Sequence, residues 1–240
     1  MPERTGRRRP RVVLGLDGCP SGWVAVVLVD GRVDDVRVVR SVRDALDRVA
    51  PACVAVDMPV GLVDGARDTD AAARALLPGR AASVFSTAAR SVVEGWSDGS
   101  LTTHAEASAR SVAVTGAGLS QQAWRLVPKM AEIEGLSAAG VELTEVHPEL
   151  AFATVAGAPL PRKRSWPGLM LRHELLAGLG VDLPARFEGD TDAAPDDVVD
   201  AAICAWVADG VASGTSIRRV PERTEQVAHG RPIVITVREG

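Results

Sequence analysis

The chain has 240 residues, 46% of them hydrophobic, which is enough to bury a substantial core within one domain. A formal net charge of −4 excludes a general electrostatic attraction to nucleic acid, so an anionic substrate requires a local basic cleft. The longest apolar runs fall short of the roughly 18 residues that span a bilayer, and we expect no membrane contact and a cytoplasmic location.

The first elements are three antiparallel strands. "RVVLGL" is a short, continuously apolar run that is typical of a central strand, and Asp17 follows it. Two β-rich runs, "GWVAVVLVD" and "RVDDVRVVR", meet at Asp30-Gly31, where both residues tolerate a positive φ and predict a tight hairpin. We expect residues 1–10, "MPERTGRRRP", to be a flexible tail.

A short helix and a second aspartate-ended strand come next. Ser41 and Asp44 have the spacing of a capping box, and the strand in "ACVAVDMPVGL" ends at Asp57. A strand reached through a crossover helix normally runs parallel to its neighbour, so the ends of the two strands would place Asp17 and Asp57 in one crevice.

The rest of the chain alternates helical and extended patterns. Residues 66–140 carry several helical stretches and little β signal, which predicts a helical insertion in which Pro128 kinks one helix. "VELTEVHPEL" has strand character, "RSWPGLMLRHELLAGLG" is helical, and "DDVVDAAICAWVADGVAS" predicts a buried late helix. The tail "PIVITV" is interpreted as an edge strand or a pairing segment.

This order of elements is that of a ribonuclease H-like fold: an α/β architecture with a mixed five-stranded sheet flanked by helices, here a single domain over residues 1–240. In that fold, carboxylates from the first strand, the fourth strand and a late helix converge, and such oxygen ligands hold two Mg²⁺ or Mn²⁺ ions for phosphodiester cleavage. The predicted metal ligands are Asp17, Asp57, Asp196, Asp197 and Asp200, with Asp196 in reserve. Each has an alternative role as a turn or helix-cap residue, least readily Asp200, which lies inside an apolar helix.

A second candidate site surrounds His147. On a strand, Glu145, His147 and Glu149 would share one face, although Pro148 can end the strand before Glu149. A histidine beside two carboxylates favours a base or a metal ligand, so Glu145 and His147 join the predicted catalytic set of Asp17, Asp57, Asp197 and Asp200. A structural hydrogen-bonding role for His147 is the alternative.

Six motifs in order resemble the DUF429 family, described as predicted nucleases with a ribonuclease H-like fold. They are "GLDGCPSGWV", "AVDMPVGL", "TDAAARALLPGRAASVF", "LSQQAWRLVPKMAEIE", "TEVHPELAF" and "DDVVDAAICAW". The resemblance implies the fold and, through it, a nuclease activity, but a fold alone does not establish function.

The leading hypothesis is a metal-dependent nuclease or related phosphodiester hydrolase, an enzyme that takes nucleic acid or a nucleotide as substrate. A basic wall would position the phosphates. Its predicted members are Arg74, Arg80, Arg90, Lys129 and Lys163.

Two alternatives stay open. An actin-like or sugar-kinase-like phosphotransferase or ATPase would use Gly18 and Gly22 to let nucleotide phosphates approach the backbone. A non-catalytic binding domain would use the acidic residues only as caps. The valine-rich hairpin and "PIVITV" could also supply the edge of a homodimer.

Overall fold

The computed structural model describes residues 9–239, and the centre of the fold is a five-stranded mixed sheet. Its strands are β1 (Val12–Cys19), β2 (Gly22–Val29), β3 (Arg32–Val39), β4 (Cys53–Val56) and β5 (Thr144–Glu145). The order across the sheet is β3-β2-β1-β4-β5. Strand β2 pairs antiparallel with both β1 and β3, whereas β4 pairs parallel with β1 and β5 pairs parallel with β4. The predicted fold class is confirmed.

Eight α-helices surround or extend this sheet within the described residues. They are α1 (Val42–Arg48), α2 (Asp68–Ala75), α3 (Arg90–Ser97), α4 (His104–Thr115), α5 (Gln121–Ala138), α6 (Pro148–Ala156), α7 (Trp166–Gly178) and α8 (Pro195–Ser213). Four short strands follow α8: β6 (Ile217–Val220), β7 (Val227–Ala228), β8 (Arg231–Pro232) and β9 (Ile235–Arg238). They form two separate two-stranded sheets, β6-β9 and β7-β8.

The core has one layer on each face of the central sheet. On one face, Leu14 and Leu16 of β1 pack in a cluster with Val127 and Met130 of α5. On the other face, Val13 lies in a cluster with the buried residues of α8. A central strand covered on both faces has no polar side to present, which explains why the sequence of β1 is continuously apolar.

Gly15 sets the distance between β1 and α8. A Cβ atom on this residue would lie 2.1 Å from the backbone nitrogen of Ala205 and 2.2 Å from the backbone oxygen of Ala201. Only a residue without a side chain lets the two backbones approach so closely. As a result, the middle of α8 lies directly against the middle of β1.

Local predictions for the first part of the chain are confirmed. Asp30 and Gly31 adopt φ values of 49° and 81° in the β2–β3 hairpin, as a tight turn of this kind requires. Ser41 and Asp44 form the reciprocal capping box of α1. Pro128 lies inside α5, and the kink expected there stays a prediction.

The segment 66–140 contains α2, α3, α4 and α5 and no strand of the central sheet. Its status as an insertion, and that of residues 1–240 as one domain, stay predictions. In the tail, the end of "PIVITV" forms β9, which pairs with β6 of the same chain. Most of the predicted tail, residues 1–8, lies outside the described residues.

Candidate metal centre

Three aspartates meet at the carboxyl edge of the central sheet. Asp17 lies near the end of β1, Asp57 directly follows β4, and Asp200 lies in the second turn of α8. One carboxylate oxygen from each lies within 4.8 Å of the others. Asp17 and Asp200 are buried, with 7% and 1% exposure, whereas Asp57 is only partly buried. We call these three residues the aspartate triad.

Strand register and helix packing bring the aspartate triad together. Leu16 pairs with Val56 in the parallel β1–β4 ladder, and the Asp57 N–H donates to the Leu16 carbonyl at 2.9 Å. Asp17 and Asp57 therefore occupy the next positions on neighbouring strands. The close contact at Gly15 then places the first turns of α8, and with them Asp200, beside the two strand ends.

The aspartate triad concentrates negative charge in a place with little water. Burial raises the pKa of Asp17 well above its ordinary value, and the charges of Asp57 and Asp200 raise it further. Burial likewise raises the pKa of Asp57 to about 7 and that of Asp200 to about 7, in both cases against the opposing effect of Lys163. The ionised triad is thus unfavourable without a cation.

The structure places Lys163 in contact with the aspartate triad. Its ammonium donates to Asp200 Oδ2 and lies 3.9 Å from Asp196 Oδ2. Burial lowers the pKa of Lys163, but the charges of Asp200, Asp57 and Asp17 outweigh this effect, so its pKa is raised and it stays protonated.

Asp200 has one oxygen that the protein leaves without a partner. Lys163 contacts Oδ2, and within residues 9–239 no group donates a hydrogen bond to the buried Oδ1. A buried carboxylate oxygen without a donor is costly unless a cation faces it. Carboxylate oxygens are the ligands that Mg²⁺ and Mn²⁺ prefer. The residues present therefore fit a divalent cation held by the aspartate triad.

Asp196 and Asp197 flank the aspartate triad without being part of it. Asp197 Oδ2 accepts the N–H of Ala194 at 3.1 Å, which caps the start of α8. Asp196 Oδ2 accepts from Arg164 Nε at 3.1 Å. Both carboxylates thus have partners in the protein, and their predicted role as ligands stays a prediction.

Glu145, His147 and Glu149 do not share one strand face, because the strand ends before Glu149, as the alternative interpretation of Pro148 allowed. β5 ends at Glu145, and Pro148 begins α6 because its fixed φ suits the first position of a helix. His147 is the N-cap residue, and its Nδ1 accepts the N–H of Leu150 at 3.3 Å. Burial lowers the pKa of His147, which favours the neutral ring. Because Nδ1 accepts a hydrogen bond, the proton of the neutral ring lies on Nε2.

The two glutamates of this motif are bound by buried arginines that the sequence argument missed. Arg67 donates to Glu145 Oε1 at 3.1 Å, and Arg172 donates to both oxygens of Glu149 at 2.8 Å. Burial raises the pKa of Glu145, while the charge of Arg67 opposes the shift. We call Arg67, Glu145, Glu149 and Arg172 the arginine-paired cluster. Its arginines lie 78 and 23 positions from their partners, so no local spacing could have revealed the pairs.

A scan against models of protein families matches residues 15–226 to the family described as "Protein of unknown function (DUF429)". The chain belongs to this DUF429 family. The matched region contains the whole aspartate triad and the arginine-paired cluster. Searches of curated proteins and of solved structures gave no match.

The basic residues predicted for phosphate binding in this DUF429 chain have partners within the protein. Arg74 donates to the Val84 carbonyl at 3.1 Å, Arg90 donates to that of Leu62, and Arg80 donates to Glu149 Oε1 at 3.1 Å. The Lys129 ammonium contacts the Gly22 carbonyl and lies 4.7 Å from the centre of the Trp23 ring. Their role in substrate binding stays a prediction.

Contacts within the protein account for the two glycines of the first turn. A Cβ atom on Gly22 would lie 2.0 Å from the Val39 carbonyl oxygen, and one on Gly18 would lie 2.8 Å from the Lys129 side chain. Both glycines thus permit close packing of the chain on itself.

Within the part of the chain that the structure describes, no helix has the length and apolar character to cross a membrane.

Proposed function

We propose that this DUF429 protein is a metal-dependent hydrolase of phosphodiester bonds, with Asp17, Asp57 and Asp200 holding a divalent cation. The observation that carries the proposal is the aspartate triad itself, drawn from two strand ends and a helix, with one Asp200 oxygen lacking a donor among the described residues. An acidic site of this kind attracts a cation and repels an anionic substrate until the cation is bound. Metal and phosphate binding are therefore expected to be coupled.

Mg²⁺ or Mn²⁺, when bound, polarises a phosphoryl oxygen and lowers the pKa of a water molecule. The carboxylates hold the cation at the edge of the sheet, and the partial exposure of Asp57 gives a substrate access from that side. The charge of Asp197 acts on Asp17 and Asp57, so Asp197 is proposed to add negative charge at the same edge as the weakest ligand of the site, with Asp196 in reserve.

His147 is proposed as a hydrogen-bond donor that orients the substrate or the attacking water. Because its Nδ1 accepts the helix-capping bond, Nε2–H is the group it can offer, in exchange for its hydrogen bond to the backbone of Ser83. Glu145 is proposed as a positioning residue. The Val60 N–H and Arg67 hold its carboxylate, which fixes the end of β5. The proposed substrate is a nucleic acid or nucleotide.

Basic residues complete the proposed substrate site. Lys129 lies beside Gly18, the residue after Asp17, and can reach a phosphate by exchanging its contact with the Gly22 carbonyl. Arg74, Arg80 and Arg90 can do so only by giving up hydrogen bonds within the protein. We therefore expect Lys129→Met to raise KM more than Arg74→Met does.

The experiment is Mn²⁺-dependent cleavage of DNA, RNA and bis-p-nitrophenyl phosphate by the full chain and its Asp17→Asn variant. We expect Asp17→Asn to lower the rate by a factor on the order of 100 or more, because it removes a ligand of the cation. Asp34→Asn, the same change at an exposed strand position, is the matched control and should leave the rate unaltered.

Thermal melts separate loss of the site from loss of the fold. Mn²⁺ should raise the melting temperature of the wild type and not that of Asp17→Asn, since a ligand stabilises the state that binds it. Cleavage that survives in folded Asp17→Asn contradicts the proposal. A Mn²⁺-stabilised wild type that cleaves none of the three substrates keeps the metal site and rejects the hydrolase.

A further inference from the structure

The ammonium of Lys163 places a positive charge against the aspartate triad. Its ammonium lies against Asp200 Oδ2, whereas the other oxygen of the same carboxylate has no donor among residues 9–239. The two oxygens of Asp200 are thus in different environments. One is neutralised by the protein, and one is left for a cation from solution.

The backbone around Lys163 is fixed from three directions. The fully buried Arg172 donates to the Pro161 carbonyl at 3.0 Å, and the Ser165 hydroxyl donates to the Arg162 carbonyl at 2.7 Å. A Cβ atom on Gly168 would lie 2.1 Å from that same Arg162 oxygen, so α7 packs directly on this turn. The turn is therefore held rigidly, and the lysine is positioned by the fold.

The charges of the site leave room for one divalent ion. The three carboxylates of the aspartate triad carry three negative charges when ionised, and Lys163 supplies one positive charge, which leaves two negative charges. One Mg²⁺ or Mn²⁺ ion neutralises these two charges. With Lys163 present, a second divalent ion would compete with the ammonium for Asp200 Oδ2 and would leave the site with two positive charges. Without Lys163, two ions would leave one positive charge, which the neighbouring carboxylate of Asp197 can balance.

We propose that Lys163 takes the place of a second metal ion, so that the aspartate triad binds one divalent cation per chain. This inference rests on the proposed metal site and replaces the two-ion arrangement expected from the sequence. It also gives Lys163 a role different from its predicted one, since an ammonium held by Asp200 neutralises the site and is not free to bind substrate phosphate.

The test is the stoichiometry of Mn²⁺ binding to the full-length protein, measured by calorimetry and by the electron paramagnetic resonance signal of bound Mn²⁺. We expect one ion in the wild type and two in Lys163→Met, which frees Asp200 Oδ2. The two-ion form should show a spin-coupled signal that the wild type lacks. Lys163→Arg keeps the charge and should bind one ion.

Arg164→Met is the matched control because it removes a positive charge one position away. Arg164 has an 81% exposed side chain and contacts Asp196, outside the aspartate triad. It should bind one ion, as the wild type does. A second ion in Arg164→Met would show that net charge, not the place of Lys163, sets the stoichiometry, and would overturn the inference.

The remaining outcomes separate this inference from the proposed function. Two ions in the wild type, or one ion in folded Lys163→Met, overturn the role of Lys163 and leave the metal site standing. No Mn²⁺ binding to the wild type overturns both proposals. If Lys163→Met does not fold, Lys163→Gln removes the charge and keeps a polar side chain, and one ion in folded Lys163→Gln overturns the role of Lys163 in the same way.

Discussion

The aspartate triad and the arginine-paired cluster use the same residue types under similar burial but differ in how their charge is balanced. In the arginine-paired cluster, Glu145 and Glu149 each have their own buried guanidinium, at 3.1 and 2.8 Å. In the aspartate triad, the single ammonium of Lys163 contacts Asp200 and faces the charges of all three carboxylates. The first arrangement is complete within the chain, and the second leaves one Asp200 oxygen without a donor among the described residues, where we propose that a cation binds.

The difference shows how a structural acid can be distinguished from a functional one. The sequence presents both groups as acidic residues at or next to strand ends, and all of them except the partly buried Asp57 are buried. Partners decide the matter, because a carboxylate with a matched guanidinium stabilises the fold, whereas one without enough donors remains reactive toward cations.

The largest expected effect is on the arginine-paired cluster. Arg172→Met should lower the free energy of unfolding by about 3–5 kcal/mol, because it leaves Glu149 buried with only the more exposed Arg80 as a partner. Urea unfolding of the two proteins at pH 7 measures the loss. Glu149→Gln combined with Arg172→Met should recover part of it, since no buried charge then lacks its counterion.

Either of two results would count against the completeness of this cluster. One is a loss in Arg172→Met below about 1 kcal/mol, the value expected of an exposed pair. The other is a double variant no more stable than the single one.

The aspartate triad should respond in the opposite direction when a charge is removed. The pKa of Asp57 is raised from 3.8 to about 7 in the folded protein, so the folded state binds the proton more tightly than the unfolded state. Without metal, stability should therefore fall as the pH rises from about 4 through about 7. Asp57→Asn should remove much of this fall, a gain on the order of 3 kcal/mol at pH 8 in EDTA.

Melts in EDTA between pH 5 and pH 8 check this expectation, and Asp34→Asn again serves as the exposed control. Mn²⁺ should reverse the effect, stabilising the wild type more at pH 8 than at pH 5 because the cation and the proton compete for the same oxygens. A wild-type melt that rises with pH in EDTA would show that the triad is not strained by its own charge.

The sequence predicts the acidic residues of the site and names Lys163 among its basic ones, but it assigns Lys163 to phosphate binding and does not reveal the contact with Asp200. Asp17 and Asp57 follow buried strands, and the parallel β1–β4 pairing brings any two such positions together. Lys163 lies in an irregular turn between α6 and α7, held by Arg172 eleven residues beyond Pro161. Neither periodicity nor spacing marks a position that depends on a packed helix.

At His147, the helix-starting preference of Pro148 outweighs the alternating strand pattern. The alternation of Glu145, His147 and Glu149 fits a strand, but Pro148 lacks an N–H and favours the first turn of a helix. The N-cap preference then fixes His147 as an acceptor for Leu150. The alternating pattern was real, and a single proline determined where it ended.

A smaller effect is expected from changing the packing that assembles the aspartate triad. Gly15→Ala places a methyl group against the backbone of α8 and should cost about 1–3 kcal/mol of stability. It should also weaken Mn²⁺ binding, because α8 must shift and carry Asp200 with it. Urea unfolding and calorimetric titration with Mn²⁺ measure the two effects.

Gly135→Ala is the control for the change from glycine to alanine. Gly135 lies on an exposed part of α5 with no atom within 4 Å of an added Cβ, so the change should stabilise the helix by about 0.5–1 kcal/mol. Mn²⁺ affinity that falls equally in both variants, or in neither, would contradict the role of Gly15 in placing Asp200.

The smallest expected effect distinguishes Asp197 from Asp200, two neighbours on one helix face. Asp200 is buried within the triad, whereas Asp197 is partly exposed and caps α8 through the Ala194 N–H. Asp197→Asn keeps a carbonyl oxygen for the cap and removes only a nearby charge, so Mn²⁺ affinity should fall by less than about tenfold, or 1.4 kcal/mol. Asp200→Asn removes a ligand and should abolish the calorimetric signal. If the two variants lose Mn²⁺ binding equally, Asp197 is a full ligand, and the boundary of the site extends from the triad to the first turn of α8.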